Sequence, residues 1–452
     1  MLCMYTVKNF KSIKDEITLD MQAATLSEHT DKIIRTSDGE DYLPVTVIYG
    51  PNGGGKSNVL EALLILCSKI MKPIYAINDN LENADNKVGK LIVEPFEFSQ
   101  ITKNEPTKFE VYFRTKKYEY KYSIHIKKES VIYESLDKRS LETGRPSGVF
   151  SRDKEGIVLK GSLKKLAVNK DISTSLPFLS YLGITNGNNA IVKDVINWFE
   201  NGIYFLNYGN PIQELRMAIS NSKKFKDLVV NMMQECGIDI YDYRIEKKES
   251  GMEIFIKHKI GDHIYEIPFI EESSGTQKLF GMMPVFADSL TSGKTLVVDE
   301  MDAKIHPVLL KHIIEMFTDM KINKKGAQLI FTSHDLSTMN NEVFRRDEIW
   351  FVAKGYEENS VLYSLSDFKD VEGKTVRKDE AYGKRYLEGR YGADPCLKKI
   401  IEWSVIRWSQ IAPGTKVYEL VESLVKYFPE EIQKEFINED EKEKDKNSWL
   451  TF

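Results

Sequence analysis

The sequence predicts an α/β protein built on a mixed sheet, and three features of the chain lead to this prediction. Short apolar runs at 45–49, 295–298 and 328–332 have the length and composition of buried strands. A segment that is apolar on a helical period follows the first of them directly. Residues 91–160 instead alternate between apolar and charged side chains, which is typical of an antiparallel sheet with one solvated face.

The first residues of the chain predict a hairpin, with strands at 4–7 and 17–21 and a polar turn between them. A polar loop at 26–42 then leads to the strand at 45–49. The chain has no apolar run long enough to cross a bilayer, and its first residues lack the apolar core of a signal peptide. The sequence therefore predicts a protein without a membrane segment.

A glycine-rich loop joins the strand at 45–49 to a helix expected at about 57–71. The loop has the spacing of a phosphate-binding P-loop, and its glycines let the backbone wrap around a phosphate with the N–H groups turned inward. The helix that follows directs the positive end of its dipole at the same anion. Lys56 is expected to reach the β- and γ-phosphates of a nucleotide, and Ser57 is expected to ligate Mg²⁺. The residues expected to bind the nucleotide are Gly50, Pro51, Asn52, Gly53, Gly54, Gly55, Lys56, Ser57 and Asn58.

In the long segment between this helix and the strand at 295–298, the residue pattern changes from strand-like to helical at about 160–236 and then returns to strand-like. We interpret it as an insertion of β and helical structure at about 91–268. The expected elements after its first β region are amphipathic helices around 191–199 and 225–233, and strands at 241–245, 252–258 and 263–267.

Two carboxylates follow the strand at 295–298. In P-loop proteins a carboxylate at the end of a neighbouring buried strand holds Mg²⁺, and ligands of α/β sheets bind at the carboxyl ends of strands. We assign Asp299 to the metal. We assign Glu300 to the attacking water, because that role requires a carboxylate beside the metal. An acidic turn without a catalytic role is the alternative, since many strands end in acidic residues.

Two further polar stretches complete the candidate site. Ser273, Ser274, Gly275, Thr276 and Gln277 open an apolar helix just before the strand at 295–298. A serine–glycine turn at a helix start is an anion site, although a plain helix N-cap would use the same residues.

The other stretch is the end of the strand at 328–332, which we expect to lie beside the P-loop strand. His334 follows this strand. We favour a contact between His334 and the γ-phosphate over a surface or core role, because of this expected position.

The composition limits the classes of function. The chain has 452 residues, of which 42% are apolar and 29% charged, and its formal net charge of −5 provides no basic field to attract nucleic acid. DNA is therefore not indicated as a partner. Its four cysteines, Cys3, Cys67, Cys236 and Cys396, are widely spaced and match no disulfide or zinc pattern, which favours a reducing cytoplasm.

The order of the motifs resembles a known family. The motifs are Asn9-Phe10-Lys11-Ser12, the P-loop, the serine–glycine turn, Asp299-Glu300-Met301-Asp302 with His306-Pro307, and Thr332-Ser333-His334-Asp335. Together they resemble the ABC-type ATPase heads of the SMC and DNA-repair group. They are more similar still to the compact bacterial ATPases of AAA type that occur with the OLD ATPases in anti-phage systems. The similarity continues through 344–350 and 386–395, and so covers most of residues 1–395.

This resemblance implies a P-loop NTPase of the ABC-ATPase-head type. Such a head has a mixed sheet around the P-loop helix, an antiparallel β subdomain and a helical signature subdomain. The resemblance also implies slow hydrolysis of ATP with Mg²⁺ in a head-to-tail homodimer that holds ATP at both interfaces, with assembly beyond the dimer left open.

The resemblance assigns further roles to single residues. The signature turn of one copy, with Ser274 and Gly275, would meet the γ-phosphate that Lys56 of the other copy holds. Asp302 would lie in the loop that crosses between the two sites, and His334 would sense the γ-phosphate.

Three residues near the start of the chain and one glutamine have roles that the resemblance leaves open. Lys11 would lie near the base or the phosphates, together with Asn9 and Phe10, and a core position is the alternative for Phe10. Gln100 is the candidate for the family's glutamine that serves the metal and the water.

The favoured function is an ATPase that acts as a sensor or scaffold in an anti-phage defence system. It would control a separately encoded effector, such as a nuclease of the TOPRIM kind. OLD-type relatives carry that nuclease after the head, but here Asp367, Asp370 and Glu372 lie in a lysine-rich loop without flanking buried strands. A DNA-binding ATPase of repair or chromosome maintenance is the alternative. A transporter subunit is disfavoured by the long insertion.

Two segments have open interpretations. Residues 396–452 predict a C-terminal helical extension with a charged tail, which would either dock a partner or pack on its own head. Arg345-Arg346-Asp347 would contact DNA or a partner, or form a structural ion-pair cluster. We favour the cluster, because interleaved charges usually pair with one another.

Overall fold

The computed structural model describes residues 1–78, 93–206, 222–248, 251–370 and 372–393. The chain divides into two compact units, Met1–Pro395 and Cys396–Phe452. The C-terminal helical extension predicted at 396–452 lies outside the described residues and stays a prediction.

The elements of the first unit are numbered in chain order. The strands are β1 Leu2–Lys8, β2 Ile17–Asp20, β3 Ile34–Arg35, β4 Asp41–Tyr42, β5 Val45–Tyr49, β6 Thr107–Arg114, β7 Tyr118–Lys127, β8 Ser130–Ser140, β9 Pro146–Asp153, β10 Gly156–Leu159, β11 Ile203–Leu206, β12 Asp242–Lys248, β13 Gly251–Ile260, β14 His263–Pro268, β15 Thr295–Val298, β16 Gln328–Thr332, β17 Ile349–Lys354 and β18 Ser360–Ser364. The helices are α1 Lys56–Asn78, α2 Phe178–Asn186, α3 Ala190–Asn197, α4 Lys223–Glu235, α5 Ser274–Ser292, α6 Pro307–Thr318 and α7 Tyr382–Leu387.

A mainly parallel sheet lies at the centre, with the strand order β11-β15-β16-β5-β17-β18. Neighbouring strands are parallel except for β18, which runs antiparallel to β17 at one edge. Both faces are covered by apolar side chains. Val45, Val47 and Tyr49 of β5 belong to a core that includes residues of α4, α5 and α6, whereas Ile48 belongs to the core on α1. Burial on both faces explains why β5, β15 and β16 are continuous apolar runs in the sequence.

An antiparallel sheet packs over α1, with the strand order β10-β9-β8-β7-β6-β1-β2. The predicted N-terminal hairpin is confirmed, because β1 and β2 pair in antiparallel register, with Met4 opposite Asp20. Strand β1 also pairs with β6 of the predicted insertion. The hairpin and the insertion therefore form one continuous sheet. The alternation predicted for this region is also present, since every second residue of β6 from Thr107 to Phe113 is buried.

A third, three-stranded sheet, β12-β13-β14, precedes the signature helix α5. Its strands match those predicted at 241–245, 252–258 and 263–267. Helix α4 packs against both α5 and this sheet, and their buried residues share a core, for example Tyr243 against Phe280 with 5.0 Å between ring centroids. The start of α5 is thus supported by α4 and the three-stranded sheet, which share its core.

The structure corrects two predicted elements. The P-loop helix does not end near residue 71 but continues through Pro73 to Asn78. Strand β11 lies in a region that was predicted to be helical, and it pairs in parallel with β15 in the central sheet. The predicted insertion at about 91–268 therefore returns to the central sheet part-way along its length.

Candidate nucleotide site

The P-loop runs between the end of β5 and the start of α1, and its glycines are needed for close backbone approach. Gly55 has a φ of 105°, and a Cβ at this position would overlap the hydroxyl oxygens of Ser360 and Ser12. A Cβ on Gly50 would overlap the carbonyl oxygen of Val352. The hairpin of β17 and β18 thus lies against both ends of the loop, and side chains at these glycines would push it away.

Lys56 lies inside the loop. Its Nζ donates hydrogen bonds to the carbonyl oxygens of Gly50 at 2.9 Å and Pro51 at 3.2 Å, and the residue is only 7% exposed. Burial lowers the pKa of Lys56, although the carboxylates of Asp299 and its neighbours raise it in part. Because burial disfavours an unpaired ammonium group, an anion that enters the loop would favour the charged form of Lys56.

A cavity of about 170 Å³ lies beside the first turn of α1. Its polar lining comes from Ser57, Glu61 and Asp299, and its apolar lining includes Phe205 and Leu206 of β11. Among the described residues no group of three or more His, Cys, Asp or Glu could hold a metal ion by itself. The pair of Ser57 and Asp299 nevertheless fits the Mg²⁺ of a P-loop protein, where few protein ligands are needed because phosphate oxygens and water supply the others.

Thr332 at the end of β16 holds the acidic turn that follows β15. Its hydroxyl donates to Asp299 Oδ1 at 2.5 Å and accepts the N–H of Glu300 at 2.7 Å, while its carbonyl accepts the N–H of Met301 at 3.1 Å. Glu300 is exposed and has a φ of 49°, a conformation that a non-glycine residue rarely adopts. Thr332 therefore stabilises a strained turn that presents Glu300 outward.

Three polar strand ends meet at one edge of the central sheet, because β15, β16 and β5 run in parallel. His334 follows β16, which pairs directly with β5, as predicted. The prediction that the strand before Asp299 is the neighbour of the P-loop strand was wrong, since β16 lies between β15 and β5. Asp299 still reaches the site because the carboxyl ends of parallel strands lie at the same edge.

Asp302 and His334 are joined within one chain. The backbone N–H of His334 donates to Asp302 Oδ2 at 3.0 Å, whereas Oδ1 of Asp302 is buried without a hydrogen-bond partner among the described residues. The loop after Glu300 is therefore linked to the loop after β16. The imidazole of His334 is left exposed.

The serine–glycine turn forms the N-terminus of α5, and Ser273 is its N-cap. The Ser273 hydroxyl accepts the N–H of Thr276 at 3.1 Å, and its carbonyl accepts the N–H of Gln277 at 2.8 Å. The Gln277 side chain donates to the carbonyl oxygens of Ile270 and Glu272. Ser274 is exposed. The capping interpretation is thus correct for Ser273, and whether Ser274 and Gly275 bind an anion stays a prediction.

The comparison with known proteins agrees with this arrangement of motifs. The model of one protein family, described as "AAA domain, putative AbiEii toxin, Type IV TA system", matches residues 45–340. The chain belongs to this AAA-domain family. The match extends from the first residue of β5 past His334, so it includes the P-loop, the serine–glycine turn and the acidic turn. Among curated proteins, none matches the chain.

Two solved structures are similar to this AAA domain at low identity. One is described as "SMC head domain from Thermotoga maritima", with 15% identity and a TM-score of 0.38 over 80% of this chain and 98% of that chain. The other is the Smc head domain with an extended coiled coil bound to the C-terminal domain of ScpA derived from Pyrococcus furiosus, with 12% identity and a TM-score of 0.36 over 80% of this chain and 96% of that chain.

The AAA domain has the predicted fold class. Its mixed sheet packs against the P-loop helix, its antiparallel sheet includes the N-terminal hairpin, and helix α5 packs with α4 and the three-stranded sheet in the core that includes Val45 of the central sheet. The AAA domain is thus a P-loop NTPase with a mixed α/β architecture.

Asn9, Phe10 and Lys11, near the start of the chain, have different surroundings. Asn9 is fully buried, and its side chain donates to the carbonyl oxygens of Thr102 and Glu105 and accepts the N–H of Phe96. Phe10 is also fully buried, as in the core alternative. Lys11 forms an ion pair of 2.6 Å with Glu61, a residue that lines the cavity.

Gln100 is exposed in the loop that Asn9 anchors. Phe205 and Leu206 at the end of β11 also line the cavity. No sequence pattern indicated these two residues, because β11 lies in a region of helical period.

The two asparagines expected to bind the nucleotide have different surroundings. Asn52 is exposed, whereas Asn58 donates from Nδ2 to the hydroxyl of Ser12 at 2.7 Å. Ser12, Ser360 and Thr332 contact the P-loop or the acidic turn, and sequence reasoning assigned none of them a role. Thr332 and Ser12 do occur in the quoted motifs, but only the fold reveals their contacts.

Arg345 and Arg346 form structural ion pairs, so the favoured interpretation is confirmed. Arg345 is 1% exposed and binds both carboxylate oxygens of Asp347 as well as the carbonyl oxygens of Ala24 and Glu28. Arg346 pairs with the Glu28 carboxylate at 2.8 Å. Both guanidinium groups are therefore engaged inside the domain.

Proposed function

We propose that this AAA domain binds ATP with Mg²⁺ at the P-loop and hydrolyses it slowly. One observation carries the proposal: Lys56 is buried inside the glycine loop, and Ser57, the next residue, lines the same cavity as Asp299 after β15. This arrangement offers cationic and N–H donors to a triphosphate on one side and carboxylate oxygens to a cation on the other.

Each residue at this edge of the sheet has a proposed role. Lys56 and the loop amides bind the β- and γ-phosphates, and Ser57 and Asp299 hold Mg²⁺, which neutralises charge on the phosphate oxygens when bound. Glu300 orients and deprotonates the attacking water, and the exposed imidazole of His334 contacts the γ-phosphate. The turn that Thr332 fixes supports this assignment, since a general base must be held in place.

The test of nucleotide binding uses two lysines of the same helix. Lys56→Ala is expected to abolish ATP binding measured by calorimetry, because the alanine removes the buried cation. Lys69→Ala is the matched control, since Lys69 also lies on α1 and burial lowers its pKa too. Equal affinities for ATP in the two variants would contradict the proposal.

We propose further that two copies form a head-to-tail dimer in which each signature turn completes the other copy's site. Within one chain, a Cβ on Gly275 would meet the carbonyl oxygen of Lys304 at an ordinary 3.5 Å, and its φ is not in the left-handed region. The fold of the single chain thus does not require glycine here. A close approach by another molecule would require it, and the first-turn amides of α5 suit a phosphate.

Glu300→Gln tests the dimer. Glutamine preserves the shape of the side chain but cannot deprotonate water, so ATP should bind and persist. We expect light scattering to show twice the monomer mass when ATP and Mg²⁺ are added to Glu300→Gln. Lys56→Ala should stay at the mass of the nucleotide-free protein. A Glu300→Gln protein that binds ATP without any change in mass would contradict the dimer.

We propose that the ATPase acts in the cytoplasm as a sensor or scaffold of an anti-phage defence system and controls a separate effector, such as a TOPRIM-type nuclease. The family description names a type IV toxin–antitoxin system, which supports a role in a system of several components. The acidic residues that a nuclease site in this chain would use have local partners: Asp367 bonds to Ser364, and Asp370 accepts the N–H groups of Glu372 and Lys374. This supports an effector supplied by another chain.

Two observations are compatible with the proposed compartment. Cys3, Cys67 and Cys236 are buried free thiols, and burial raises the pKa of Cys3 to about 12 and that of Cys236 to about 11. Within the part of the chain that the structure describes, no helix has both the length and the apolarity to cross a bilayer.

The family description also favours a second candidate, in which this chain is itself a toxin. Expression of the chain alone in a bacterial host distinguishes a toxin from a sensor that needs a separate effector. Growth arrest that disappears in Lys56→Ala supports a toxin. Normal growth, together with co-purification of a nuclease from the native host, supports a sensor that controls an effector.

A further inference from the structure

A chain of side-chain hydroxyls links the start of the protein, the P-loop and β18. The Ser360 hydroxyl donates to the carbonyl oxygen of Gly54 at 2.7 Å and lies 2.7 Å from the Ser12 hydroxyl. Asn58 Nδ2 donates to the Ser12 oxygen at 2.7 Å. The backbone N–H of Ser360 also donates to the carbonyl oxygen of Ser12 at 2.7 Å, which fixes the two serines relative to each other.

The directions of these hydrogen bonds follow from the number of protons. A serine hydroxyl has one proton, and that of Ser360 is used by the carbonyl oxygen of Gly54. In the pair of serines, Ser12 must therefore be the donor. The amide of Asn58 has only donors to offer through Nδ2, so it donates to Ser12. The relay thus runs in one direction, from Asn58 through Ser12 and Ser360 to Gly54, and each bond polarises the next.

The carbonyl of Gly54 belongs to the same peptide unit as the N–H of Gly55. A trans peptide unit is planar, and its C=O and N–H groups point in opposite directions. The bond from Ser360 therefore fixes the direction of the Gly55 N–H as well. Glycine peptides rotate more freely than others, so this orientation needs outside support. Amides of a glycine-rich loop must all point at the phosphate to form an anion site.

We infer that Ser360 is a positioning residue for phosphate binding, which acts through the Gly54–Gly55 peptide with Ser12 and Asn58 behind it. This inference rests on the proposed binding of ATP at the P-loop. Ser360 itself lies behind the loop and is 2% exposed. Its role is to keep one phosphate-binding amide oriented before the nucleotide arrives, which lowers the entropy lost on binding.

The experiment compares two serines of one strand. Ser360→Ala removes the bond to Gly54, and we expect the Kd for ATP and for ADP to rise about five- to tenfold, the range of one hydrogen bond. Ser364→Ala is the matched control, because Ser364 is also 2% exposed on β18 but bonds to Asp367. It should change the Kd by less than about twofold. Calorimetry on the full chain gives the affinities, and the unfolding temperature of each variant without nucleotide shows its stability.

Ser12→Ala tests the direction of the relay. It leaves the bond between Ser360 and Gly54 in place, so its effect on the Kd should be smaller than that of Ser360→Ala. The double variant with both Ser12→Ala and Ser360→Ala should bind the nucleotides no more weakly than Ser360→Ala alone.

The inference is overturned if Ser360→Ala binds both nucleotides like the unmodified chain, or if Ser364→Ala loses as much affinity at equal stability. An effect of Ser12→Ala larger than that of Ser360→Ala would also overturn it. If the unmodified chain binds neither nucleotide, the proposed function fails first, so the two failures can be told apart.

Discussion

Replacing Thr332 with valine tests how the acidic turn is held. Thr332 is fully buried, and its hydroxyl bonds both Asp299 and the N–H of Glu300. Valine has nearly the same shape, so packing is preserved while both bonds are lost. A bond to a charged group contributes about 1.5–3 kcal/mol, and a buried group left without a partner costs about 1–3 kcal/mol. Since water can reach the exposed side of the turn, we expect the free energy of unfolding to fall by about 2–4 kcal/mol.

The control for this variant is Thr46→Val. Thr46 is fully buried on the neighbouring strand β5, but its hydroxyl contacts the sulfur of Met21 at 3.3 Å, a weak acceptor. We expect a loss of less than about 1 kcal/mol. Urea denaturation measures both variants, and phosphate release at saturating ATP should fall in Thr332→Val alone. Equal urea midpoints, with unchanged phosphate release in Thr332→Val, would refute the reasoning.

Three further predictions concern single side chains. Burial raises the pKa of Glu348 from 4.5 to about 8, so its stabilising effect is complete below pH 4.5 and is lost as the pH rises through about 8. In the unmodified chain this effect lowers the free energy of unfolding by up to about 1.4 kcal/mol for each pH unit across that window, and Glu348→Gln should lack this contribution. Urea midpoints of both proteins at pH 5.5 and 8.5 check this. Gly55→Ala should lose ATP binding in calorimetry, because its Cβ would overlap the Ser360 hydroxyl. Gly275→Ala should keep or gain up to about 1 kcal/mol of stability yet lose ATP hydrolysis, and normal hydrolysis would count against the signature role.

The P-loop, the acidic turn and the strand of His334 could be predicted from sequence, because local patterns determine them. A glycine loop between an apolar strand and a helix has one common structure, and a buried strand followed by acids needs no knowledge of its neighbours. The order of the strands in the sheet, in contrast, cannot be predicted from local patterns. Nothing local shows that β16 separates β15 from β5, since pairing depends on residues far apart in the chain.

Other differences between the predicted and the observed structure have local causes. Helix α1 continues past its predicted end near residue 71 although Pro73 removes one helical hydrogen bond, because Met71 and Ile74 on either side of the proline are buried in the core. Strand β11 has four residues and directly follows the helical turn Trp198–Gly202, so its alternation was too short to detect. The contacts of Ser12 with Ser360 join residues 348 positions apart, and serine itself carries no signal for them.

The distance along the chain between the P-loop and its support affects how the protein is made. Gly54 and Ser360 are 306 positions apart, and Val352 closes the other end of the loop. Because ribosomes make the N-terminal part first, an unfinished chain has the nucleotide motif without the hairpin that braces it. We therefore expect tight binding of a nucleotide only after translation has passed β18.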